Sequence, residues 1–147
     1  MTTTDTSNLT FELRKSITIA ASPEIVWETT LEQITSGMTD MSDKPLGLKL
    51  EPWPGGRYFR DLGDNTGHFW GHVQVIKPPR LLEICGPLFL STPVTNHLQY
   101  RITAAGEGSE LSIVHRAVGI MDPEHREGVG SGWQSIIDDI KAAAEKR

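Results

Sequence analysis

His115 and Tyr100 are the residues of this sequence best placed to do chemistry on a small molecule. His115 stands in a row otherwise apolar, Leu111, Ile113 and Ala117, while Tyr100 shares a row with Leu98 and Ile102 on the expected partner strand. An imidazole and a phenol facing one interior could act as an acid/base pair on a carbonyl compound. They could equally orient a bound ligand, or His115 could be a buried histidine hydrogen-bonded to a backbone carbonyl or to the Tyr100 hydroxyl. No Asp or Glu falls on the inward rows to orient the imidazole, and there is no Gly-x-Ser-x-Gly nucleophile elbow.

Other motifs carry less. His68 and His72 have metal-ligand spacing only on a helix; on a strand they lie ~13 Å apart, and no metal is expected. Trp70 lies between them, and its parity places it outside unless a bulge shifts the register. Gly128-Val129-Gly130-Ser131-Gly132 lacks the Gly-Lys-Ser/Thr of a phosphate loop, and reads as a flexible lid beside Met121 and Trp133. Cys85 has no Cys-x-x-Cys partner and reads as a structural thiol. Trp27, Trp53, Tyr58 and Trp133 are large enough to line a pocket or fill a core. Nothing implies a cofactor.

The elements that must position these residues follow from periodicity. Phe11, Leu13, Ile17 and Ile19 alternate with polar residues as a half-buried strand. Ser22-Pro23-Glu24 then opens a helix, with Trp27, Leu31 and Ile34 on one face and its end near Gly37. Residues 38–45 read as a connection or a frayed helix. Strands are expected over 46–52 and 57–62 around Pro54-Gly55-Gly56, then over 68–76, 81–85, 94–103 and 111–117, separated by Gly- and Pro-bearing turns. Ser131 and Gln134 form a capping-box pattern that predicts the last helix from Gly132 onward, with Trp133, Ile136, Ile137 and Ile140 on its apolar face. The order predicts an α+β fold, a curved antiparallel sheet covered by one long C-terminal helix.

Composition bounds the function. A chain of 147 residues fits one compact domain, expected over 11–147 after a frayed or disordered tail at 1–10. Fourteen Lys and Arg against nineteen Asp and Glu give a formal charge of -5, the wrong sign for a nucleic-acid or anionic-membrane binder without a basic patch. The longest uncharged stretch, 84–100, is interrupted by Pro87 and Pro93, so no membrane span is expected. The first residues do not read as a secretory signal, and a single cysteine suits a cytoplasmic home.

Four segments carry a resemblance: Ile17 to Trp27, Glu51 to Phe59, Gly71 to Leu81, and Gly132-Trp133. In that order they resemble the START-like, or SRPBCC, helix-grip superfamily, and within it the homologues of the activator of the heat-shock-protein-ninety ATPase. The resemblance implies about seven antiparallel strands gripping the C-terminal helix, with a cavity between them. It departs at Val75, where the family has an acidic residue, and at Cys85-Gly86-Pro87, where an aromatic is usual.

These readings converge on a small hydrophobic or amphipathic ligand bound between sheet and helix, lined by Tyr58, Trp70, Leu98, Tyr100, His115 and Trp133. Tyr100, His115 and the Trp133 indole N–H are expected to orient it. The alternatives are a protein-interaction module like the chaperone activators, which a filled interior would favour, and a cyclase or dehydratase using His115 with Tyr100. A monomer or a homodimer fits any of these. A cavity of ~300 Å³ or more containing His115 is the feature that would favour a small molecule.

Overall fold

Alternating side chains make the first strand, β1 (Thr10–Ile19), which turns Phe11, Leu13, Ile17 and Ile19 inward. This computed structural model describes residues 7–147, so most of the expected tail lies outside the described residues. A short 3-10 turn over Ser7–Leu9 leads into β1. The Ser22 hydroxyl accepts the Ile25 N–H at 3.3 Å and Pro23 takes the first position of α1 (Pro23–Gln33), as the start signal predicts. Helix α1 buries Val26, Trp27 and Thr30.

Residues 38–45 form no helix; they close on themselves through a Thr39–Pro45 bridge. The strand expected over 46–52 shrinks to β2 (Leu48–Leu50), because Pro45 and Pro52 bracket it and cannot donate to a ladder. The meander follows as β3 (Arg57–Gly63), β4 (Thr66–Lys77), β5 (Leu81–Gly86), β6 (Val94–Ala105) and β7 (Gly108–Gly119). All pairs are antiparallel, in the order β1-β7-β6-β5-β4-β3-β2. The sheet curves around α2 (Pro123–Glu145), giving the helix-grip α+β architecture.

One expectation is corrected here. Helix α2 begins at Pro123 rather than near Gly132: Asp122 caps it by accepting the Glu124 N–H at 2.9 Å, and proline occupies the first turn. Gly128 to Gly132 therefore lies inside the helix, neither a lid loop nor a phosphate loop, and Ser131 bonds back to the Gly128 carbonyl at 3.0 Å instead of capping.

At Trp70 the structure holds the bulge on which its inward placement depends. Tyr58 pairs with Gly71 but Phe59 pairs with Phe69, so Trp70 is the extra residue of a β-bulge. The bulge turns Trp70 inward, 6% exposed, and leaves the neighbouring Phe69 44% exposed. Glycines permit it: a Cβ on Gly86 would sit 2.4 Å from the Gly71 Cα, so β4 and β5 approach too closely there for side chains.

Candidate functional site

The inward row of β6 is Asn96, Leu98, Tyr100 and Ile102, and that of β7 is Leu111, Ile113, His115 and Ala117. Leu98 stands opposite His115 in the ladder, which puts Asn96 diagonal to the imidazole. Trp133, the first buried residue of α2, reaches down onto the same spot. Its indole Nε1–H donates to His115 Nδ1 at 2.9 Å, and His115 Nε2 lies 2.7 Å from Asn96 Oδ1.

An indole can only donate, so Nδ1 is the acceptor and the imidazole carries its proton on Nε2, donating to Asn96. The Asn96 amide nitrogen in turn donates to the carbonyls of Gly86 and Pro87 at 3.2 and 3.3 Å. The relay is thus satisfied from helix to sheet to the β5–β6 loop, with His115 2% exposed and Asn96 fully buried. Burial, and secondarily the nearby His125, pushes the His115 imidazole down to about 4, so it is neutral at physiological pH.

Beside this relay lies a cavity of about 250 Å³ between the sheet and the first half of α2. All six residues expected to line it do so: Tyr58, Trp70, Leu98, Tyr100, His115 and Trp133. Tyr58 donates its hydroxyl to the Ile34 carbonyl at 2.6 Å and packs edge-on against Trp70, with ring centroids 5.5 Å apart. Tyr100 packs against Trp133 at 5.9 Å. Phe89, 57% exposed, meets His125 of α2 at 5.2 Å and forms the rim.

Polar atoms divide differently from expectation. Of the three groups expected to orient a ligand, Trp133 and His115 are engaged with each other and with Asn96. The Tyr100 hydroxyl takes no part in this relay, and burial raises its pKa, so it keeps its proton. Trp70 Nε1–H is buried and without a partner among the described residues.

Asn96, not an acid or the Tyr100 hydroxyl, orients the histidine. Its signal was present, since the alternation Leu98, Tyr100, Ile102 extends back two residues to it. Phe89 and Leu88 come from the β5–β6 loop, where Leu88 holds a positive φ of 55° and its N–H bonds to the Trp70 carbonyl at 2.9 Å. No periodicity announces such a wall. His125 and Val129 join it because α2 starts early.

The remaining candidates lie elsewhere. Trp53 is 54% exposed in the β2–β3 turn and Trp27 belongs to the core. His68 and His72 are exposed on β4, and no group of three potential ligands among the described residues could hold a metal. A larger outer-face groove of about 560 Å³ includes Lys49 and Arg57, but these pair with Asp61 at 2.8 Å and Glu51 at 2.9 Å. No helix among the described residues is long and apolar enough to cross a membrane.

No family model matches the chain, and no curated protein matches it by sequence. Solved structures do match in shape. A protein from Rhizobium leguminosarum superposes with a TM-score of 0.74 at 14% identity, over 94% of this chain and 96% of its own. MLL2253 from Mesorhizobium loti gives 0.70 at 15%, over 92% and 98%. Ara h 8.0201 gives 0.64 at 12%, over 94% and 99%. At such identities these similarities establish the helix-grip fold and nothing finer.

Proposed function

We propose that the protein binds one small, predominantly apolar molecule in the cavity between the sheet and α2. The observation that carries this reading is the cavity itself, walled by aromatic and aliphatic side chains from β3, β4, β6, β7 and α2. Its 250 Å³ falls just short of the usual lower bound of about 300 Å³ for ligand pockets. An apolar cavity of ~150 Å³ already accepts a benzene, so a ligand of about two fused rings suits this one. Burial of the ligand's apolar surface supplies the affinity, at roughly 25 cal/mol per Å² before the losses of association.

A protein-partner role like that of the ATPase activators is supported by the sequence resemblance, but a filled interior would favour it and here the interior holds a cavity. A cyclase or dehydratase would need an imidazole nitrogen free to take a proton. Both nitrogens of His115 are engaged, which favours binding over turnover by that residue. A cytoplasmic location belongs to the same reading.

Titration with N-phenyl-1-naphthylamine, a neutral dye that brightens in apolar surroundings, tests it. Saturable, one-to-one binding is expected, and Gly132→Leu should abolish it. A Cβ at Gly132 meets nothing within 4 Å, so the variant folds while its side chain occupies the wall. No saturable signal, or binding unchanged in the variant, would sink the proposal.

A further inference from the structure

We infer that the cavity selects electrically neutral ligands, holding an acceptor atom of the ligand with the Tyr100 hydroxyl and rejecting carboxylates of the same shape; this rests on the ligand-binding reading above. Two features carry it. The first is charge: among the described residues, the wall contains no Lys, Arg, Asp or Glu. Its one deeply buried titratable base, His115, cannot become a cation facing the ligand without displacing the Trp133 N–H from Nδ1. The rim histidine, His125, is shifted toward the neutral form by its own burial, against the weaker pull of Asp122. A carboxylate entering this space would leave water and meet no counter-charge, so its desolvation would go uncompensated.

The second feature is the surplus of donors. Tyr58 is engaged with Ile34, Trp133 with His115, and His115 with Asn96. The Trp70 Nε1–H is buried with no partner among the described residues, and the Tyr100 hydroxyl, in the cavity wall and outside those pairs, is held by burial in its protonated, donating form. A buried donor without an acceptor is destabilising, and a carbonyl or ether oxygen on the ligand satisfies it. Charge and donors together define the ligand class: uncharged, mainly apolar, with an accepting oxygen.

Three probes with one ring system separate these terms: methyl 2-naphthoate, 2-naphthoate and naphthalene, titrated calorimetrically at pH 8, where His125 is uncharged. The ester should bind at least ~100-fold more tightly than the carboxylate. It should exceed naphthalene by roughly 5- to 10-fold, and Tyr100→Phe should erase that second margin. The variant removes an oxygen that takes part in none of these hydrogen bonds, so the fold is retained. A carboxylate binding as tightly as the ester overturns the charge selection while leaving the ligand-binding reading intact. An ester no better than naphthalene, or unaffected by Tyr100→Phe, overturns the role of Tyr100. If none of the three binds, the ligand-binding reading itself falls.

Discussion

From Trp133 to Ala144, α2 turns four side chains, Trp133, Ile137, Ile140 and Ala144, into the core, whereas from Pro123 to Gly132 it buries none. The later half is also tied at its end: Lys141 donates to the Thr18 carbonyl at 2.9 Å, Glu145 accepts the Ala20 N–H at 2.7 Å, and Arg147 pairs with Glu32. The earlier half carries three glycines, each costing about 1 kcal/mol of helix stability relative to alanine. Yet this weaker half supplies Val129 and His125 to the cavity wall. One helix thus anchors the sheet with half its length and closes a binding space with the other, and Trp133, held by His115, marks the junction.

The largest effect should fall on the anchored half. Ile137→Ala and Trp133→Ala should each destabilise the fold by about 3–5 kcal/mol, since the first empties a packed core position and the second removes a large buried side chain together with its hydrogen bond to His115. That corresponds to a fall in melting temperature of roughly 10–15 °C. Val129→Ala, removing a half-buried side chain, should cost under ~1 kcal/mol. Chemical denaturation of the three variants checks this, and equal losses at Val129 and Ile137 would erase the distinction between the halves.

Acid should act at the junction. The His115 imidazole is held near 4 by burial, below its ordinary 6.5, so between those values the unfolded chain binds a proton that the folded one refuses. The stability this residue contributes is complete above pH 6.5. It declines by up to ~1.4 kcal/mol per unit as pH falls to about 4, a total of about 3 kcal/mol. Below that the loss stops growing, because the folded and unfolded chains then both carry the proton on His115. Denaturation curves at pH 7 and pH 4.5 should therefore differ less in His115→Phe than in the unmodified chain, whose carboxylates titrate alike. An equal difference in both would show that the junction does not carry the acid sensitivity.

Legibility in the sequence follows the same division. The rows of β6 and β7 and the apolar face after Trp133 are periodic because they face one core, and periodicity places Leu98, Tyr100, His115 and Trp133 correctly. Trp70 escaped simple parity, since a bulge at Gly71 depends on two strands meeting in space, which one strand's alternation does not encode. The first turns of α2 escaped because glycines dominate them while the true start signal, Asp122-Pro123-Glu124, stands ten residues before the first buried side chain. Leu88 and Phe89 lie in a loop whose path is set by Asn96 bonding the Gly86 and Pro87 carbonyls, a tertiary contact without a local signature.

The smallest expected effect probes the weaker half directly. At Gly130 a new Cβ would meet only Leu13 Cδ1, at 4.0 Å, an ordinary contact, and Gly130 does not belong to the cavity wall. Gly130→Ala should therefore stabilise the helix by about 0.5–1 kcal/mol without narrowing the cavity. Because residues 123–132 have little packing to hold them, that gain should appear as slower amide exchange there and leave residues 133–145 nearly unchanged. If the first half opens separately to admit a ligand, the dye should enter and leave Gly130→Ala more slowly while its wild-type affinity is nearly retained. Uniform slowing of exchange along all of α2 would mean instead that the helix opens as one unit, and the two halves would differ in packing but not in motion.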